Sequence, residues 1–210
     1  MTKTFLHVGC GNMTKEFTTP AFNTDEWKEV RADIDETVNP DIIASMTDMS
    51  AINDKSYDAI YSSHNIEHLY AHEVPSAVRE FSRVLKENGF LIITCPDLKS
   101  VCHQVSKGNL TGKLYESGLG PITAIDILYG LRSALAVGNY YMAHKVGFTA
   151  DLLKDTLTQF GFQHAIVAAV PSRYVLWGIA TKNDKIDKLE LFEILRTHTD
   201  LLKETKVSSQ

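Results

Sequence analysis

Residues 9–11, Gly-Cys-Gly, close a short apolar run, Phe5-Leu6-His7-Val8. Such a turn lets a ligand approach the backbone with no Cβ in the way. A dinucleotide site would continue as G-x-G-x-x-G, the third glycine packing a helix whose N-terminus faces a pyrophosphate. Here Asn12-Met13-Thr14 follows, and Pro20 sits inside a poor helical pattern, which counts against NAD or FAD and a NAD-dependent oxidoreductase. Asp33 and Asp35 share one face at the end of an alternating stretch, where a carboxylate can accept both hydroxyls of an adenosine ribose. Asp33 is favoured, with Asp35 next. Asp48-Met49 pairs a carboxylate that can accept from an exocyclic amine with a thioether that can pack on a purine.

His64, His68 and His72 recur every four residues and would line one helix face. Three such residues span about 12 Å at 1.5 Å per residue, too far for one ion, so no metal is expected. As acceptor-site residues His64 and His68 are better placed, because they follow a strand end and titrate near neutrality. His144 either lines an acceptor pocket or staples the preceding segment to the next helix. Cys10 has no base or cation near it in sequence, so packing is the reading for its thiol.

These residues need a sheet to position them. Residues 5–8 and the alternating Glu29–Asp35 predict two strands; 40–44 a short third; 57–61 a fourth, leading to Ser62-Ser63-His64-Asn65. Val78, Phe81, Val84 and Leu85 predict a helix between Pro75 and Asn88, with Gly89 as its C′ stop. Phe90–Cys95 is apolar throughout, as in a central parallel strand. Residues 97–148, dotted with glycine and carrying Tyr115, Tyr129, Tyr140 and Tyr141, are too long for a plain connector and suit a lid or binding segment. A helix from Thr149 to Gly161 and a hairpin of 165–170 with 174–181 follow. Residues 184–205 predict a charged amphipathic helix burying Ile186, Leu189, Ile194, Leu195 and Leu201, and 206–210 a polar tail.

The 210 residues carry 21 Lys plus Arg against 26 Asp plus Glu, a net charge of −5, which lacks the basic footprint of a nucleic-acid binder. Three cysteines without a C-x-x-C pair suit a reducing compartment. The opening residues leave no room for a signal-peptide core, and no apolar run approaches membrane-spanning length. A cytoplasmic protein with no membrane partner is the expectation.

The order of these segments resembles the class I S-adenosylmethionine-dependent methyltransferases. The resemblance rests on Leu6-His7-Val8-Gly9-Cys10-Gly11, Arg31-Ala32-Asp33-Ile34-Asp35, Thr47-Asp48-Met49, Tyr57 through His68, and Arg83-Val84-Leu85-Lys86-Glu87-Asn88-Gly89. His144 to Thr149 and Gly161-Phe162 extend it, so that it covers residue 5 to about 181. It implies an α/β, Rossmann-like seven-stranded sheet, parallel except for its last strand, with helices on both faces. It implies a methyltransferase domain over 1–183, with 97–148 covering the substrate and 184–210 as a C-terminal helix and tail. The cofactor implied is S-adenosyl-L-methionine. Gly9, Cys10 and Gly11 would lie at its methionine moiety and Asp33 or Asp35 at the ribose, with Ile34 between them. Asp48 and Met49 would lie at the adenine, and Ser62, Ser63 and His64 where the methyl is presented. His64, His68 and His144 would serve the acceptor, a small or medium-sized molecule. The family usually has an acidic residue where this chain has His7. A non-catalytic S-adenosylmethionine-binding module is the alternative, and the charged C-terminal helix leaves room for a homodimer.

Overall fold

The computed structural model describes residues 2–200. In chain order the strands of the main sheet are β1 (Lys3–Val8), β2 (Trp27–Asp33), β3 (Ile42–Ile43), β4 (Tyr57–Ser63) and β5 (Leu85–Pro96). A separate hairpin of β6 (Lys113–Ser117) and β7 (Gly120–Thr123) precedes the last two, β8 (His164–Val170) and β9 (Val175–Thr181). The spatial order is β3-β2-β1-β4-β5-β9-β8, and β9 alone runs antiparallel to its neighbours. The predicted seven-stranded sheet is therefore present. The carboxyl ends of β1, β2, β4 and β5 lie along one edge, the edge at which open α/β sheets bind ligands.

Both faces are covered. Val78 and Phe81 of α1 (Val74–Val84) pack on one face, and so do Leu153 and Leu157, which lie beyond α2 (Leu98–Ser106), α3 (Ala124–Tyr129) and α4 (Arg132–Ala136) on α5 (Ala150–Phe160). Leu191, Phe192 and Leu195 of α6 (Lys188–His198) pack on the other, with Phe5, Phe22 and Trp27. Of the predicted stripe, Leu195 is buried and Ile186 and Ile194 pack against the same core, whereas Leu189 is exposed and Leu191, Phe192 and His198 are buried in addition. Leu201 and the tail lie outside the described residues. No helix among the described residues is long and apolar enough to cross a membrane.

Several boundaries differ from expectation, each for a local reason. Between β1 and β2 the described chain has only a 3-10 turn at Lys15–Phe17 and no α-helix, so the segment with Pro20 offers no helix N-terminus to a pyrophosphate. β2 ends at Asp33 rather than Asp35, because Asp33 Oδ1 accepts the Asp35 N–H (2.9 Å) and Asp35 caps the turn Glu36–Val38. The third strand is reduced to Ile42–Ile43. α1 stops at Val84 with Leu85 already extended, so Gly89 is no C′ stop. The buried Leu85 pairs with Tyr57, and 86–89 bulge out before Phe90 pairs with Ala59.

Residues 97–148 form more than a covering loop. They hold α2, the β6–β7 hairpin, α3 and α4 around a small core of Val101, Ile122, Ala124 and Ile127. Thr123 and Asp126 form a capping box on α3, a reciprocal pairing that satisfies two otherwise orphaned amides. Burial alone would raise the Asp126 carboxyl, but hydrogen bonds from Arg132 and Thr123 hold it down at about 2. Of the four tyrosines, Tyr115 stacks on Tyr174 with ring centres 6.2 Å apart. Tyr140 and Tyr141 face solvent, and only Tyr129 reaches a cavity.

Candidate functional site

The parallel register sets Val8 level with Ala32, which brings the glycine turn alongside Asp33. Both glycines take left-handed backbone, φ +63° at Gly9 and +51° at Gly11, which an L side chain resists. Gly11 N–H donates to Asp33 Oδ2 at 2.8 Å. Arg31 holds the far side of the turn, donating to the carbonyls of Gly11, Met13, Val38 and Asn39. The turn is thus set by β2 before any ligand arrives. A Cβ on Gly9 would strike Asn65, whereas one on Gly11 meets nothing within 4 Å. The space over Gly11 is open, and Asp33 keeps part of its roughly four lone-pair sites for a ribose hydroxyl. These features fit the adenosyl ligand that the resemblance implies. Cys10 is buried inside the turn, and burial pushes its thiol up to about 11, so only its backbone faces the site. Ile34 is exposed beside Asp33, and Asp35 caps its own turn through Thr37. Buried His7 places Nδ1 2.7 Å from Glu29 Oε1, so a carboxylate stands beside the position where an acidic residue is usual.

The Asp48-Met49 pair divides. Asp48 is exposed, and hydrogen bonding to Ser50 lowers its carboxyl. Met49 is only 1% exposed, in the core under α1, with its N–H on Glu80 Oε2 at 2.6 Å. Its side chain is packed in that core.

At the end of β4, Ser62 is buried beside Asn65, and Ser63 Oγ pairs with Thr94 Oγ1 at 2.7 Å. His64 turns left-handed at φ +55° and donates its N–H to the Thr94 carbonyl. That turn prevents the predicted histidine stripe. Only a 3-10 turn, Ile66–His68, follows, and His72 leaves to stack on Tyr70.

A different convergence takes its place, one that sequence spacing did not show. His144 returns from the insertion to lie 4.9 Å, ring to ring, from His68. His68 Nδ1 faces the Ala143 carbonyl at 3.1 Å, and His144 Nδ1 faces that of Ile127 at 2.6 Å. Between them is Glu67, 1% exposed, neither of whose oxygens has a hydrogen-bond partner. His64 Nδ1 lies 3.3 Å from Glu67 Oε1 but out of hydrogen-bond alignment. Burial raises the Glu67 carboxyl, yet the imidazoles of His64, His68 and His144 outweigh it and leave the group below its ordinary value. Burial lowers His144, more than offsetting the pull of Glu67. The Lys145 and Val146 amides both donate to the Glu67 carbonyl, tying the end of the insertion to this turn.

Glu67 and His144 line a cavity of about 230 Å3. Its other walls are Pro96 at the end of β5, Leu98 and Val101 of α2, Ile127 to Tyr129 of α3, and residues 145–148. His144 lines this cavity, and its ring is held by the Ile127 carbonyl of α3 rather than by the helix that follows the insertion.

The family described as a methyltransferase domain matches residues 6–93. No curated protein matches the sequence. Among solved structures, a SAM-dependent methyltransferase from Archaeoglobus fulgidus is 15% identical, with 85% of this chain and 86% of that one covered at a TM-score of 0.55. A SAM-dependent methyltransferase from Thermotoga maritima, described as a possible histamine N-methyltransferase, is 16% identical over 87% and 84% at 0.54. The Burkholderia thailandensis 1,6-didemethyltoxoflavin-N1-methyltransferase, solved with S-adenosylhomocysteine, is 11% identical over 87% and 72% at 0.52. The fold is thus similar to that of these structures, and the matched segment runs from β1 into β5. Residues 6–93 match the methyltransferase-domain family, and the fold is that of solved S-adenosylmethionine-dependent methyltransferases.

Proposed function

We propose that this chain is an S-adenosylmethionine-dependent methyltransferase that acts on a small or medium-sized acceptor seated in the cavity between the end of β5 and residues 97–148. One observation carries the reading. β4 lies between β1, which bears the glycine turn, and β5, whose end walls the cavity, so the end of β4 separates a cofactor side from an acceptor side. S-adenosylmethionine, when bound, supplies a sulfonium methyl that an acceptor oxygen, nitrogen or carbon attacks in line with the departing sulfur.

The chain's own part is alignment and water exclusion. Gly9, Cys10 and Gly11 present backbone to the methionine moiety, Asp33 takes the ribose, and Asp48 serves the adenine edge. His64, half exposed at the β4 end, accepts the proton of an attacking hydroxyl or amine; His68 and His144 shape the acceptor side. The cavity volume and the net charge of −5 favour a small molecule over nucleic acid. The unpaired Cys10, Cys95 and Cys102 support a cytoplasmic location.

Calorimetric titration with S-adenosylhomocysteine, against NADH as comparison, tests the cofactor side. Saturable 1:1 binding of the first alone is expected. Asp33→Ala should weaken it about 10- to 100-fold, the loss of a charge-assisted hydrogen bond. Unchanged affinity in both Asp33→Ala and Asp35→Ala would refute the ribose assignment. An acceptor screen reading S-adenosylhomocysteine release then tests His64, since His64→Ala should lower turnover and leave cofactor affinity unchanged.

A further inference from the structure

We propose that Glu67, His68 and His144 bind a divalent transition-metal ion of the zinc or iron(II) type at the inner wall of the acceptor cavity. The inference rests on the acceptor-cavity reading only for what the ion faces, not for its binding.

The first ground is the carboxylate. A buried charge is costly unless it is paired or coordinates a metal. Glu67 is 1% exposed and both of its oxygens lack hydrogen-bond partners; its nearest ion-pair partner is the half-exposed imidazole of His64, 3.3 Å away and charged only when protonated, and no lysine or arginine pairs with it among the described residues. Lys145, on the same cavity wall, sends its ammonium over the Tyr70 ring instead, 4.7 Å from the centroid. The second ground is the pair of imidazoles. A carbonyl oxygen only accepts, so the contacts to Ala143 and Ile127 place the proton of each neutral ring on Nδ1 and leave Nε2 its lone pair. Backbone carbonyls holding the far nitrogen in this way are the usual support of a metal-ligating histidine. The third is convergence: one ligand atom from each residue lies within 4.8 Å of the other two. Ligands about 2.0–2.1 Å from a tetrahedral ion stand about 3.4 Å apart, so small side-chain rotations close the set.

Two imidazoles and one carboxylate suit zinc or iron(II) rather than magnesium or calcium, which favour oxygen. Three protein ligands leave a position open. Because Glu67 and His144 line the cavity, that position faces it and takes water or an acceptor oxygen.

The test uses the full chain stripped of metal with a chelator, titrated with Co2+ by visible absorption and with Zn2+ by calorimetry. One equivalent of Co2+ with ligand-field bands, displaced by Zn2+, is expected. Glu67→Gln and His144→Ala should each weaken binding at least about 100-fold, and His72→Ala, outside the cluster, should not. S-adenosylhomocysteine binding is read on every protein, and if Glu67→Gln fails to fold the His144→Ala result stands alone. Absence of stoichiometric metal binding by the wild type, or wild-type affinity in the folded variants, overturns the site. Cofactor binding without metal binding refutes the metal site alone; metal binding without cofactor binding refutes the methyl-transfer reading alone.

Discussion

The two glycines of the β1 turn should respond differently to the same added methyl. Both are left-handed, at φ +63° and +51°, so Gly9→Ala and Gly11→Ala share a backbone cost of about 1–2 kcal/mol. Their surroundings differ. On Gly9 the new Cβ would overlap Asn65 Oδ1, Cγ and Nδ2, so the whole buried amide must move. That amide donates to the Val8 carbonyl at 2.8 Å, and displacing it leaves a buried acceptor unsatisfied, at about 1–3 kcal/mol. Gly9→Ala should therefore lose about 2–5 kcal/mol in all, and Gly11→Ala, whose Cβ meets nothing, only the backbone part. Urea unfolding measures both, with a double-mutant cycle through Asn65→Ala. Removing Asn65 makes room for the methyl and gives up the same hydrogen bond once, so the double variant should be more stable than the summed losses by about 2 kcal/mol. Gly11→Ala, which carries only that backbone cost and stays folded, should still weaken S-adenosylhomocysteine binding tenfold or more, because the methyl enters the open space over the turn. Equal destabilisation by the two single substitutions, or an additive cycle, would refute the packing argument; unchanged cofactor affinity in Gly11→Ala would refute the placement of the ligand.

Two further expectations concern stability. Burial holds His198 down at about 4, with Nδ1 2.8 Å from Thr19 Oγ1 and its ring against Phe22. The native ring stays neutral while the unfolded one, near 6.5, takes a proton as pH falls, so stability is full above about 6.5 and declines towards 4. The loss should reach about 2 kcal/mol by pH 5, and His198→Gln should flatten that slope in urea midpoints at pH 7 and 5. Arg83 donates to Glu80, Asp54 and the carbonyls of Met49 and Ile52, pinning 49–54 to α1. Arg83→Met should cost about 3 kcal/mol by unfolding, and Arg83→Lys, which keeps the charge without the fork, clearly less.

The sheet was legible because its information is local. Apolar runs at 5–8, 57–61 and 90–95 and the alternation into Asp33 report which faces are buried, and parallel pairing of β1 with β2 then places Asp33 beside the glycine turn. The ends of elements were less legible. α1 stops at Val84 because Leu85 has a partner in Tyr57, and the Asp48-Met49 pair is split by the depth at which Met49 sits, and neither fact appears in the spacing of residues.

The acceptor side belongs to the tertiary structure. A period of four suggested that His64, His68 and His72 share a face, but the left-handed turn at His64 dissolves that face. Glu67 does not stand out inside its motif, since a glutamate in sequence carries no mark of being buried without a hydrogen bond. His144 reaches it only because α2, the hairpin and α3 fold as a small unit that returns the chain to the sheet, and because the Lys145 and Val146 amides bind the Glu67 carbonyl. Periodicity along a chain encodes which side of an element is dry. Which distant side chains meet is decided by how the intervening segment closes, and closure leaves no spacing to read.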